Sequence, residues 1–281
     1  MNKIFVLGLI ILPFYVQAAS EGWKNCDDEG TAPCEYQIKD GVLTIRGTGE
    51  NGAGIIPDYG RDCPENADCQ TKSPFRWDKD APTVHTVNVE KGITSVGEWA
   101  FEDMTFITAN LPEGLISLQA GAFHQCVYLS NINLPDSLTQ IEGWALAPTN
   151  ITALKLPSNL KTIGGYAFDV GSLTDSFLVI PDSVTSLPED AFYSYVPQPH
   201  LSKLYCSALL IEACEKAAAK AGFKAFEYVK NQDGRYVVNN TLYLSLSDMQ
   251  KGKIFVPKRI YTIDEANAVA GAKNRVSIKY R

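Results

Sequence analysis

Between Val87 and Phe192 the chain states one pattern five times, and that repetition leaves few folds open to it. A small residue followed by a large apolar one recurs as Ala100-Phe101, Ala122-Phe123, Ala145-Leu146, Ala167-Phe168 and Ala191-Phe192, at steps of 22, 23, 22 and 24 residues. Leu111-Pro112, Leu134-Pro135, Leu156-Pro157 and Ile180-Pro181 keep the same steps. A unit this short cannot bury its apolar side alone, so a period in the low twenties predicts a solenoid in which each unit stacks on its neighbours.

Within each unit the residues divide by task. Val87 and Val89, Ala109 and Leu111, Ile132 and Leu134, Leu154 and Leu156, and Leu178 and Ile180 alternate with other residues at period two. That alternation predicts a short strand with one side turned inward. In the later units a proline then presets φ for a corner. A second inward pair follows as Ile93 and Val96, Leu115 and Leu118, Leu138 and Ile141, Leu160 and Ile163, Val184 and Leu187. The Ala-Phe pair closes the unit, with alanine where backbones approach and phenylalanine in the centre.

These segments resemble a known family. Gly92-Ile93-Thr94-Ser95-Val96-Gly97-Glu98-Trp99-Ala100-Phe101 and Leu134-Pro135-Asp136-Ser137-Leu138-Thr139-Gln140-Ile141 are similar to repeats of the BspA-type leucine-rich-repeat proteins of bacterial surfaces and secretions. The lead-in Asp40-Gly41-Val42-Leu43-Thr44-Ile45-Arg46-Gly47-Thr48-Gly49 also resembles that family's, so the likeness runs over about residues 36–193. Leu146 in place of phenylalanine, and Pro188-Glu189-Asp190 where glycine is usual, depart from it and predict local distortion. The resemblance implies attachment to host matrix proteins or to other cells.

The expected fold is of α/β-solenoid type, a leucine-rich-repeat array of about five 22–24-residue coils with a short-stranded sheet, an N-terminal β-hairpin cap and a small C-terminal α+β module. The expected divisions are a signal peptide at 1–19, the cap at 20–80, the repeats at 81–205 and the module at 206–281. Lys3, the apolar run Ile4 to Val16 and the small residues Ala18, Ala19 and Ser20 have the layout of a secretory signal. The run falls short of the roughly 20 apolar residues of a spanning helix, and no other stretch is apolar enough to span. Gln37 to Ile45 reads as two strands about an Asp-Gly turn, while 47–80, rich in Gly, Asp, Asn and Pro, reads as irregular. At the other end Leu204-Tyr205-Cys206 reads as a last strand, Ile211 to Ala221 as a helix stopped by Gly222, and Asn239-Asn240 as a hairpin turn. Capping boxes at Ser247 and Thr262 predict two short helices, and Val276, Ile278 and Tyr280 a final strand. The module reads either as a cap over the last repeat or as a sorting or attachment element at the envelope.

Loss of Lys3 with the signal takes the formal charge from −7 to −8, and basic residues form no long blocks, which argues against a nucleic-acid partner. All seven cysteines follow the signal segment. Export permits disulfides, and local pairing suggests Cys26 with Cys34, Cys63 with Cys69 and Cys206 with Cys214. Zinc is the rival reading, but these gaps are wider than its usual spacing and the chain has only 3 His. On one continuous helix Cys206 and Cys214 stand about 12 Å apart, too far to bridge, so their bond requires the helix to begin near Leu210. Cys126 stands alone at a repeat position that predicts a buried, inert thiol, a reading the family's pattern supports.

Chemistry finds little support. Gly47-Thr48-Gly49-Glu50-Asn51-Gly52 matches a dinucleotide-binding fingerprint after a predicted strand, but Ala53-Gly54-Ile55-Ile56-Pro57 is a poor start for the helix that must face the pyrophosphate. Its glycines read as turns. Neither a G-x-S-x-G elbow nor an H-E-x-x-H helix is present; His85, His124 and His200 lie in unlike contexts, and His124 is expected to be exposed. Glu189-Asp190 and Asp27-Asp28-Glu29 read as solvated edges. No enzyme activity, cofactor or metal is expected.

The candidate binding surface is the outward side of the strand row, carrying Asn88, Thr108, Asn110, Asn131, Asn133, Lys155, Phe177 and Val179. It grades from polar to apolar along the chain, with Phe177, Tyr193 and Tyr195 as candidate anchors. Either this is a recognition face, or Asn and Thr merely suit a solvated strand and the C-terminal module covers Phe177 and Val179. The expected function is binding or adhesion to an extracellular protein or glycan by a monomer that is secreted, on the cell surface or in the periplasm. A structural envelope component without a soluble ligand is the alternative, and a secreted hydrolase a distant third.

Overall fold

A computed structural model describes residues 22–62, 70–169, 171–174, 177–193, 203–206, 210–221, 224–230, 236–238 and 241–243 of the chain. The expected signal peptide, the Cys63–Cys69 pair, the elements after Tyr243, and Tyr195 and His200 lie outside these residues.

The alternating residues form strands, most of them parallel. One six-stranded sheet runs in spatial order Lys24–Asn25, Cys34–Lys39, Val42–Gly47, Thr86–Val89, Thr108–Asn110 and Asn131–Asn133. Its first two pairings are antiparallel and the remaining three parallel. A second sheet of five parallel strands takes the next segment of each repeat, in order Thr162–Ile163, Gln140–Ile141, Ser117–Leu118, Ile93–Val96 and Gly54–Ile56. Among the described residues the strands recur at the repeat period and helices are few.

The core lies between the two sheets and follows the repeat period. Each second inward pair, from Ile93 and Val96 to Val184 and Leu187, is buried, as are all five Ala-Phe or Ala-Leu pairs. Backbones meet at the alanines, where the N–H groups of Phe101, Phe123 and Leu146 each donate to the alanine carbonyl of the next repeat at 2.9 Å. The rings stack from unit to unit, Phe101 on Phe123 at 5.0 Å and Phe168 on Phe192 at 6.2 Å, with Leu146 interrupting the column. Burial of one such side chain contributes about 1.5–3 kcal/mol.

Residues 47–62 and 70–80 are more ordered than their composition suggests. Glu50–Gly52 forms a single turn, after which Gly54–Ile56 joins the edge of the second sheet beside Ile93–Val96. Gly52 sits at φ 77°, and a Cβ on Gly47 would lie 2.1 Å from the Gly52 carbonyl oxygen. The apparent fingerprint is therefore a tight turn with no helix behind it. Pro74–Trp77 forms one helical turn that lays Phe75 on Phe101 at 5.4 Å, with Tyr36 and Tyr59 edge-on to it. Composition hid this because one buried aromatic continues the column without any periodic signal of its own.

The fourth repeat departs from the others. Residues 153–155 form no strand, and the six-stranded sheet ends at Asn131–Asn133. Ala153 and Lys155 are poor strand formers. Pairing resumes in a separate sheet of Phe177–Val179, Lys203–Cys206, Lys224–Lys230, Tyr236–Val238 and Thr241–Tyr243, the last two antiparallel to each other. The expectation of one unbroken row through five repeats is corrected accordingly.

Cys26 and Cys34 are bonded with Cα atoms 5.6 Å apart, and Cys206 and Cys214 with Cα atoms 6.6 Å apart. The second bond forms because Cys206 ends a strand and the helix begins only at Ile211, ending at Ala221.

Candidate functional site

Parallel pairing places outward residues of successive repeats side by side. Thr44, Asn88, Asn110 and Asn133 are register partners across four strands, and Val42, Thr86, Thr108 and Asn131 form the adjoining row. Neighbouring strands lie about 4.8 Å apart, so each row is a ladder of like groups at that spacing. Asn110, Asn131 and Asn133 are exposed, while Asn88 and Thr108 are half-buried. The Asn110 side-chain amide donates to Asn88 Oδ1 at 2.5 Å, which orients both amides along the row.

The N-terminal hairpin is part of this surface. Because Val42–Gly47 pairs in parallel with Thr86–Val89, its outward residues continue the ladder; Gln37 extends the Thr44 row by one more strand, and Arg46 stands two residues along from Thr44, opposite Glu35. The Arg46 guanidinium pairs with Glu35 and lies 3.8 Å over the Trp23 ring. The hairpin thus adds an ion-paired guanidinium and an aromatic ring to this side of the sheet. The D-G turn marked the hairpin, but nothing local shows which strand it will pair with.

Three expected members are not gathered into these rows. Lys155 is exposed but belongs to no strand. Val179 is only 6% exposed and so leaves the outward row; Leu178 and Ile180 beside it are buried too, and this strand belongs to a third sheet, with Lys203–Cys206 as its neighbour. Phe177 has its backbone in that strand; its side chain and that of Tyr193 lie outside the described residues.

His124 is also corrected. Its side chain is 12% exposed and its Nδ1 lies 3.0 Å from the carboxylate of Glu102, itself 2% exposed. Arg61 pairs with the same carboxylate at 2.7 Å and lies over the Trp99 ring at 4.4 Å. Trp99 and Trp144 meet the imidazole edge-on, and Trp144 stacks on Tyr166 at 4.4 Å. Trp99, Trp144 and Tyr166 take the left-handed backbone that Gly121 takes at the same repeat position, which is costly for bulky residues and here is offset by stacking. Histidine, arginine and carboxylate meet only through three separate segments. They form a structural network of ion pairs and stacked rings.

Cys126 is buried, its thiol donates to the Phe101 carbonyl at 2.9 Å, and burial raises its pKa. Among the described residues no group of His, Cys, Asp and Glu is arranged to hold a metal ion, and no helix is long and apolar enough to cross a membrane.

Comparison with known proteins agrees with the geometry. The model of the BspA type leucine rich repeat region matches residues 79–196 in 6 copies. No curated protein matches the chain. A leucine-rich repeat protein from Eubacterium ventriosum is 22% identical over 75% of this chain and 47% of its own, with a TM-score of 0.46. The pneumococcal vaccine antigen PcpA is 19% identical over 73% of this chain and 44% of its own, with a TM-score of 0.45. A leucine rich cell surface protein from Faecalibacterium prausnitzii is 18% identical over 64% of this chain and 70% of its own, with a TM-score of 0.32. The chain spans less than half the length of the first two.

Proposed function

We propose, from the premise that residues 79–196 belong to the BspA type leucine rich repeat family, that this is a secreted or cell-surface protein that binds an extracellular protein or glycan. The contact face is the outward side of the six-stranded sheet. The observation that carries this reading is the in-register ladder of Thr44, Asn88, Asn110 and Asn133, with Arg46 and Trp23 next to it on the hairpin side of the sheet. Aligned amides offer donors and acceptors at regular spacing to an extended ligand, and the guanidinium supplies an anchor of the type enriched at interfaces.

In this reading the repeats stack as one solenoid of about five units, the hairpin covers its first edge and the α+β segment after Cys206 covers its last. The chain reaches its compartment by the signal at 1–19, acts as a monomer and carries no catalytic centre. The test is capture of the purified protein on arrays of matrix proteins and glycans. Asn110→Trp with Asn133→Trp, and separately Arg46→Glu, should each weaken capture by at least about tenfold, a loss of about 1.4 kcal/mol, without lowering the melting temperature. Capture unaffected by either variant excludes this face. Absence of any captured ligand favours a structural role in the envelope, and turnover of an arrayed glycan or peptide favours a hydrolase.

A further inference from the structure

A cavity of about 400 Å³ opens on the edge where the chain turns after each Ala-Phe pair, away from the strand ladder. Its walls come from four successive repeats, with Asp103, Gln125, Pro148, Asn150, Asp169 and Ser172 among the lining residues. That volume lies within the range of small-molecule sites, about 300–1,000 Å³.

The opening has a local cause. In the first repeat the Asp103 N–H donates to the His124 carbonyl at 2.8 Å and ties that edge to the next unit. Two repeats later the same position is Pro148, which has no N–H to donate. That one backbone bond is therefore missing at this step, although the Asp169 N–H and the Ser172 hydroxyl still join the two repeats, and polar side chains border the gap.

The lining chemistry selects among ligands. Asp169 is 7% exposed; one of its oxygens accepts the Gly171 N–H at 2.8 Å, and among the described residues no cation pairs with it. Asp103 already pairs with Arg76 at 3.0 Å. The Thr149 and Ser172 hydroxyls donate to the carbonyls of Leu146 and Thr149, so towards a ligand they remain acceptors. Gln125 and Asn150 are exposed and bring amides that both donate and accept. Val127, 50% exposed, supplies an apolar patch with the buried Pro148 behind it, and Tyr128, 58% exposed, is next in the chain. Such a wall suits a ligand with many hydroxyl donors and an apolar C–H face. With two carboxylates and no basic residue lining it, it disfavours an anion.

We propose that this cavity is a carbohydrate site for one uncharged hexose unit of a glycan, with Asp169, Gln125 and Asn150 bonding adjacent hydroxyls and Val127, backed by Pro148, lying against the ring. The site rests on the binding reading above, although not on the strand ladder as the place of contact. The repeat scaffold holds it rigidly, because each lining segment is anchored by the buried pair that precedes it.

The test titrates the full chain with methyl glycosides of glucose, galactose, mannose and N-acetylglucosamine, followed by saturation-transfer NMR and calorimetry. Sialic acid and putrescine serve as anionic and cationic probes. At least one neutral glycoside should bind saturably, about tenfold more weakly to Asp169→Asn and to Asn150→Ala, and equally well to Asn110→Trp with Asn133→Trp. The Asn150 side chain is exposed and Asp169→Asn preserves shape, so both variants should remain folded. The proposal is overturned if no neutral glycoside binds, if neither variant weakens binding, or if putrescine or sialic acid binds in preference. Should it fail while strand-ladder variants still abolish capture, the binding function stands and only this site is lost.

Discussion

Glu102 and His124, one repeat apart, meet with Nδ1 3.0 Å from a carboxylate oxygen, and Arg61 approaches the same carboxylate at 2.7 Å from outside the repeats. One buried anion therefore joins the N-terminal segment to the first two repeats. Removing it takes away the carboxylate that Arg61 and His124 share. Glu102→Ala should cost about 3 kcal/mol. Urea unfolding checks this, and a loss below about 0.5 kcal/mol, within the range of ordinary surface substitutions, contradicts it.

Gly97 shows how closely the N-terminal segment packs on the first repeat. A Cβ there would lie 1.9 Å from the carbonyl oxygen of Pro57, a backbone atom that no rotamer change can move aside. Gly97→Ala should destabilise by at least about 2 kcal/mol through forced backbone displacement. An unchanged urea midpoint argues against this contact.

Two aspartates should respond to pH in opposite senses. Burial pushes the Asp78 pKa up, but bonds from Lys24, the Asp80 N–H and Tyr36 outweigh it and hold it below the usual carboxylate range. Its contribution to stability is present above the unfolded value of about 4 and is lost as pH falls through the lower folded value. Asp78→Asn should thus be less stable than the parent at about pH 7, with the difference shrinking at about pH 3. In Asp169 burial dominates and raises the pKa despite the Gly171 N–H. Its ionisation therefore opposes folding progressively as pH rises above about 4. Asp169→Asn should gain stability relative to the parent between about pH 4 and pH 7. Equal pH profiles for a variant and its parent rule out that assignment.

The Cys126 thiol should resist modification in the folded protein, since burial and its bond to the Phe101 carbonyl oppose thiolate formation and reagent access. Mass spectrometry of the peptide containing Cys126, after alkylation with and without denaturant, reads this out. Rapid labelling of the native protein contradicts the buried position.

Residues whose role is set by their own unit were legible in advance. Ala100-Phe101 and its four counterparts are core because a 22–24-residue period must return the same side chain to the same depth. Cys126 follows from that period too, and the wide separation of Cys206 and Cys214 on a continuous helix correctly limited where the helix starts. Tertiary structure alone decided what depends on a neighbour from elsewhere in the chain. The Val42–Gly47 strand extends the outward ladder to Thr44, Phe75 continues the ring column, and His124 meets Glu102 and Arg61. Periodicity likewise gave Lys155 and Val179 the same outward position as Asn110, yet the first lies in no strand and the second is buried in another sheet. A repeat specifies which side of its own strand faces inward. Which strand lies alongside, and what covers its other side, is settled by nonlocal pairing, on which a single unit's pattern carries no information.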